Sequence, residues 1–273
     1  MGIGEHARVG AGREAEILAW DDGSVLRLMR DPNGMESLER QAAAITVAKQ
    51  AGCPVPWAGE IIWFEGRPGM VMERVDGPDL LSSVTQRPWT VVGSARLLAR
   101  IHHELHHVSA PQSLPETREV LRQRIQSAVP IPKHLAAFAL DVLGTLPDGG
   151  SLCHGDFHPG NLLLGSAGPV VIDWTGATRG HPDGDVARTL FLLRSGEPVP
   201  DTPAPVRAII AAGRRVFAPL YRKAYSSRRP IDEAAIARWS IPHVAARFAE
   251  GIEEETDALI RWLELRFAQH SDA

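Results

Sequence analysis

The sequence predicts an α+β protein of two lobes, a small antiparallel sheet carrying one helix followed by a mostly helical remainder. Three observations lead there. Short apolar segments separated by turn residues fill the chain as far as Gly77, and helical periodicity fills most of the chain beyond it. Within that second part, residues 151–173 abandon the helical pattern at Pro159 and Gly160 and carry a second hairpin signal. The expected division is therefore 1–77 and 78–273, joined by a short connector around Glu73 to Pro78.

Ala15 to Trp20 and Ser24 to Met29 read as strands about the turn Asp21-Asp22-Gly23. A helix is expected from Met35 to Gln50, ended by Gly52, with Gln41 on the inward side that also holds Leu38 and Ile45. Glu60 to Phe64 and Pro68 to Val75 form a hairpin about Glu65-Gly66-Arg67. Beyond the connector, helices are expected at Ala95 to Val108, Val120 to Gln126, His134 to Leu146, Val206 to Tyr225 and, with breaks, Ile231 to Arg266. Residues 154–161, HGDFHPGN, must be a loop. Leu162 to Leu164 and Pro169 to Ile172 flank Gly165-Ser166-Ala167-Gly168 as an antiparallel hairpin, whose adjacent entry and exit bring Asn161 beside Asp173.

Composition narrows the function. A chain of 273 residues, 44% hydrophobic and 23% charged, has enough apolar content for a sizeable core. Its net charge of −4 gives no footprint for nucleic acid. Cys53 and Cys153 are too few for a disulfide framework and lack metal-ligand spacing, which fits a reducing cytoplasm. No apolar run approaches the roughly 18 residues of a membrane span, and residues 1–12 lack the basic-then-apolar order of a signal peptide, so no membrane partner is expected. The only lysines are Lys49, Lys133 and Lys223, none in a Walker-type glycine loop, which excludes P-loop chemistry.

The hairpin gathers Asp156, Asn161 and Asp173, three short oxygen-bearing side chains, at one end. Oxygen donors suit a hard cation, and Mg²⁺ is commonly held by one or two side chains plus phosphate oxygens, a task for Asn161 and Asp173 that leaves Asp156 as a base. HGDFHPGN at 154–161 followed by VVIDW at 170–174 resembles the signature of aminoglycoside phosphotransferases and choline kinases. GAGREAE at 10–16, VLRL at 25–28, MERVDG at 72–77, RIH at 100–102 and DVA at 185–187 extend that resemblance, which fades after about Ser195. The resemblance implies a two-lobed protein-kinase-like fold and transfer of the γ-phosphate of ATP or GTP to a hydroxyl of a small molecule, with an amino-bearing compound such as an antibiotic among the candidate acceptors. It also implies roles: Asp156 as catalytic base, Asn161 and Asp173 as Mg²⁺ ligands, Gly10, Gly12 and Arg13 in a loop over the phosphates, and Glu73 to Val75 as the hinge that meets the nucleotide base. Two positions depart from the family. Arg27 stands where Lys is usual on the third strand, and Gln41 where Glu is usual on the helix. A Gln41–Arg27 hydrogen bond is expected to orient the guanidinium less strongly than an ion pair would.

Other patterns compete. His103-Glu104-Leu105-His106-His107 matches the zinc-protease pattern HExxH, but His103 and His107 fall opposite the apolar stripe of their helix, and His102 reads as a structural histidine. Gly10 to Ala15 matches a dinucleotide fingerprint without the strand before it or the helix after it, so a hairpin over phosphates is preferred. His154, Asp156 and His158 offer an alternative metal set of a phosphohydrolase, against the reading that His154 bonds backbone and holds the loop. Glu250, Glu254 and Asp257, at i, i+4 and i+7, predict one acidic helix face, solvated or turned to an amine. Trp239, His243 and Trp262 are candidates for a nearby pocket or for packing, and Asp185 is expected to brace the catalytic loop. From another class comes a degenerate protein of this fold that binds nucleotide or metabolite without transferring phosphate, suggested by Arg27 and Gln41. Oligomeric state is not legible.

Overall fold

The computed structural model describes residues 7–12, 14–195 and 204–271. The N-terminal lobe is a five-stranded antiparallel sheet of β1 (Arg8–Ala11), β2 (Ala15–Ala19), β3 (Ser24–Met29), β4 (Ala58–Phe64) and β5 (Arg67–Glu73), in the order β1-β2-β3-β5-β4. Strand alternation divides β3 between two faces. Leu26 and Leu28 join Leu18 and Phe64 in a small outer cluster, while Val25 and Met29, with Arg27 between them, face α1 (Met35–Gln50) and the main core. Leu38, Gln41, Ala44, Ile45 and Ala48 form the buried side of α1, so Gln41 faces inward as its wheel position predicts. The helix stops where the chain turns left-handed at Gly52, φ 79°, letting the Cys53 N–H donate to the Ala48 carbonyl.

β1 escapes sequence pattern because Arg8–Ala11 lies largely exposed at the sheet edge, with no buried face to set a period of two. β4 starts at Ala58, ahead of expectation, and its turn with β5 lies at Glu65 and Gly66, both with positive φ, leaving Arg67 to open the strand.

The C-terminal lobe holds α2 (Leu80–Gln86), α3 (Val91–Leu105), α4 (Thr117–Ser127), α5 (Lys133–Gly144), α6 (Pro182–Ser195), α7 (Ala204–Ser226), α8 (Glu233–Arg247) and α9 (Thr256–Ser271). Two small antiparallel pairs are set among them, β6 (Ser151–Cys153) with β9 (Thr178–Gly180) and the hairpin β7 (Leu162–Gly165) with β8 (Gly168–Val171). Neither α2 nor α6 was expected. Asp79 caps α2 by accepting from the Ser82 N–H at 2.8 Å. In α6 every residue from Asp183 to Leu190 is buried, so polar and apolar positions do not separate into faces. The connector between lobes lies against the β7–β8 hairpin: the Leu164 N–H donates to the Pro78 carbonyl, and a Cβ on Gly77 would sit 2.2 Å from the Leu164 carbonyl oxygen. Only glycine allows that approach. Among the described residues no helix is long and apolar enough to cross a membrane.

Candidate active site

The hairpin forms in the expected register, Leu162 opposite Val171, and the Ile172 N–H donates to the Asn161 carbonyl at 3.0 Å. Asn161 and Asp173 therefore lie side by side at its mouth. The Asn161 Nδ2 donates to the Asp156 carbonyl at 2.9 Å and to Asp156 Oδ2 at 3.2 Å. This orientation commits the amide nitrogen to Asp156 and leaves the amide oxygen as the atom available to a cation. Asp173 adopts φ 61° and ψ 72°, a left-handed conformation uncommon outside glycine and typical of functional sites. Its Oδ1 accepts from Thr175 Oγ1 at 3.0 Å and from Arg27 Nη2 at 3.2 Å. Short, hard oxygen donors from Asn161 and Asp173 are a donor set that fits Mg²⁺.

Arg27 thus reaches across the cleft, and its Nε is buried without a partner. The expected bond from Gln41 is not made: Gln41 Nε2 donates instead to Ser37 Oγ, one turn back on α1, at 3.2 Å. The Gln41 amide is used within its own helix, while Arg27 Nη2 makes its charge-assisted bond to Asp173.

Asp156 is flanked by His158 Nε2 and Arg188 Nη2, each 3.6 Å from one carboxylate oxygen. Burial pushes its pKa up, but the nearby His158 ring and Arg188 guanidinium outweigh this and hold it well below the usual carboxylate range. The carboxylate is ionised, as a proton acceptor must be.

Asp185 braces the loop from behind. Its Oδ2 accepts from the His154 N–H at 2.7 Å and its Oδ1 from the Gly155 N–H at 2.9 Å, while His102 Nε2 and His106 Nε2 donate to Oδ2 at 3.0 and 3.3 Å. An ionised carboxylate only accepts, so both imidazoles carry their proton on Nε2 and their Nδ1 atoms accept from Tyr221 and Tyr225 hydroxyls, each at 2.6 Å. Burial lowers the His102 pKa and brings that of His106 down to about 4. Burial opposes ionisation of Asp185, yet the His102 and His106 interactions prevail and hold its pKa well below the ordinary value. His106, Tyr221 and Tyr225 were missed by sequence reading, although the i, i+4 spacing of His102 and His106 is a legible sign of a shared target.

The rival patterns resolve against these contacts. In the HExxH stretch the His103 and His107 rings lie 4.3 Å apart, but His107 Nδ1 donates to the His103 carbonyl, Glu104 pairs with Arg100 at 2.8 Å, and among the described residues no third ligand joins the two histidines. His154 is committed on both ring nitrogens, to the Ile172 carbonyl and the Asp156 N–H, and His158 Nδ1 accepts from the Gly160 N–H. The phosphohydrolase metal set therefore loses His154 as a ligand. Trp239 is fully buried against Gly184, His243 is buried beside it, and Trp262 lies under the Arg266 guanidinium at 4.9 Å. All three act in packing. The acidic helix face also fails: Glu250 closes a 3₁₀ turn, Gly251 at φ 66° breaks the helix, and Glu253–Glu255 is a second 3₁₀ turn before α9.

Gly10 pairs with Ile17, and the Gly12 N–H donates to the Ala15 carbonyl, which closes the β1–β2 hairpin; Arg13 lies outside the described residues. At the connector, the Glu73 N–H donates to the Trp57 carbonyl and its carboxylate accepts from the Trp57 N–H. The Arg74 N–H is taken by the Gly23 carbonyl, while that of Val75 has no partner among the described residues.

The same two-lobed architecture occurs in solved kinase structures. An apo thermostable mutant of aminoglycoside phosphotransferase APH(4)-Ia shares 18% identity over 96% of this chain and 92% of its own, at a TM-score of 0.62. The amicoumacin kinase hAmiN, in complex with AMP-PNP, Ca²⁺ and Ami, shares 15% over 96% and 87%, at 0.64. The GDP and kanamycin complex of APH(2")-IIia shares 17% over 98% and 95%, at 0.61. The fold is therefore that of the kinase-like small-molecule phosphotransferases. No curated protein sequence matches this chain. The family model described as the phosphotransferase enzyme family matches residues 6–231, and the chain belongs to that family.

Proposed function

We propose that this protein moves the γ-phosphate of ATP or GTP to a hydroxyl of a small molecule, with nucleotide between a lobe ending at Gly77 and the helical lobe beyond it. The reading is carried by one juxtaposition, Asp156, Asn161 and Asp173 at the mouth of the β7–β8 hairpin with Arg27 of the sheet facing Asp173. Asp156 orients the acceptor hydroxyl and takes its proton as the oxygen bonds to the γ-phosphorus and the bond to the bridging oxygen breaks, releasing the nucleoside diphosphate. Asn161 and Asp173 would hold Mg²⁺, which supplies positive charge to the phosphate oxygens. Arg27 takes the place of the usual Lys on the phosphates, Gly10, Gly12 and Arg13 cover them, and the backbone of Glu73 and Val75 meets the base, where the free Val75 N–H is a ready donor. Gln41, turned to Ser37, supports α1 without tethering Arg27. Free, buried Cys53 and Cys153 fit the reducing cytoplasm.

The relatives' complexes contain hygromycin B, kanamycin and Ami, so the first acceptor panel joins these antibiotics with hydroxyl compounds bearing one amine or none. The test combines nucleotide-dependent thermal stability with one variant. At 100-fold over the dissociation constant, ATP or GTP with Mg²⁺ adds about 2.7 kcal/mol, a shift of several degrees. Asp156→Ala should keep that shift while cutting turnover by about 10²–10⁴-fold. Unchanged turnover would remove Asp156 from the mechanism. A second reading, nucleotide or metabolite binding without transfer, draws on the missing Gln41–Arg27 contact; a Mg²⁺-dependent shift with no phosphate transfer across the panel would favour it.

A further inference from the structure

Glu250 is joined to the base through Arg188, and it is not free. Arg188 Nη2 lies 2.9 Å from Glu250 and 3.6 Å from Asp156, while its Nε donates to the Gly155 carbonyl at 3.2 Å. Behind it, Arg247 donates to Glu250 and grips Glu255 through Nε and Nη2 at 2.7 and 2.9 Å. Both guanidiniums lie about 6 Å from the Phe191 ring, at 5.9 and 6.0 Å. The side chains are largely out of water, with Arg188 8%, Arg247 10% and Glu255 6% exposed.

Stability alone does not explain such a network. Desolvating four charges costs several kcal/mol per ion, and apolar residues of similar volume would commonly serve the core as well. Its location gives it another use. Two carboxylates and two guanidiniums cancel, so the wall beside Asp156 has no net charge from these four residues, and the arginine closest to the base is Arg188. A compound with several ammonium groups needs an equal set of free carboxylates, and here it would meet a neutralised wall and a guanidinium that repels it. Specificity built by placing a repulsive charge against the wrong ligand is a common device.

We propose that Arg188, backed by Arg247, is a specificity determinant of the acceptor site that refuses acceptors bearing several ammonium groups and admits hydroxyl compounds bearing at most one. The inference rests on the proposed phosphotransfer site, with Asp156 as its base.

The test uses the full chain saturated with Mg²⁺ and AMP-PNP, and kanamycin as the poly-ammonium probe, titrated by calorimetry at low salt. AMP-PNP binding to the unmodified protein is measured first; its absence defeats the phosphotransfer reading itself, whatever kanamycin does. Arg188→Gln, which frees Glu250 Oε1 while Arg247 keeps Oε2, should bind kanamycin at least ten-fold more tightly than the unmodified protein or Arg188→Lys. Adding Glu250→Gln should remove the gain. Equal affinity across the series, including no measurable binding by any member, overturns the proposal, as does kanamycin binding by the unmodified protein that depends on Glu250. Should Arg188→Gln fail to fold, Arg247→Gln, which frees the other Glu250 oxygen, carries the same comparison.

Discussion

Removing the Asp185 carboxylate should unseat the loop that carries Asp156 without touching any group proposed to meet substrate. Asp185→Ala strands four donors at once: the His154 and Gly155 N–H groups and the Nε2–H groups of His102 and His106. Each buried donor left without an acceptor costs about 1–3 kcal/mol. Even at the lower end the four sum to about 4 kcal/mol, among the largest effects of single substitutions. At this chain length that lowers Tm by about 8 °C or more. Asp185→Asn should fall between, since its amide oxygen accepts while its NH₂ group confronts further donors. Urea unfolding followed by circular dichroism gives the free energy, and hydrogen exchange at residues 154–158 reports the loop. A loss below about 1 kcal/mol for Asp185→Ala would refute the account of Asp185 as the anchor.

Three further outcomes are expected from other contacts. Asp173→Asn tolerates the left-handed backbone better than Ala would, so it should fold normally and lose at least half of the Mg²⁺-dependent nucleotide stabilisation; an unaltered Mg²⁺ requirement counts against Asp173 as a ligand. Burial brings the pKa of His106 down to about 4 and that of His243 to about 3, so as pH falls from 6.5 the unfolded chain takes these protons first. Stability is then full above pH 6.5 and declines below it, by about 2 kcal/mol per pH unit for the two together between pH 6 and 4, and an unchanged urea midpoint from pH 7.5 to 5 would contradict this. Gly77→Ala forces a Cβ against the Leu164 carbonyl, with about 1–3 kcal/mol of destabilisation expected in the same unfolding assay and none if the connector simply moves aside.

How much of this was legible depended on whether a local rule governed each residue. The β7–β8 hairpin was, because Gly165 to Gly168 marks the turn and apolar runs flank it, and with it came the pairing of Asn161 with Asp173. α6 was not, because a helix buried on every side has no periodic face, and its Arg188 hides in an apolar run. The acidic stripe at Glu250 assumed an unbroken helix; the left-handed residue Gly251 interrupts it, and the opposing arginines come from α6 and α8. Asp185 bonds His102, which in turn bonds Tyr221, and over such separations spacing carries no information.

Arg27 belongs to β3 and Asp173 comes after β8, so their ion pair spans the two lobes. On the proposed reading, a triphosphate with its metal would bring both signs of charge to that point. Arg27 would then exchange the carboxylate for phosphate, and Asp173 would exchange the guanidinium for the cation, so each charge would keep a counter-ion. Loading the cleft would be a partner exchange in which no ion has to be stripped bare, with Arg27 as the placeholder at Asp173.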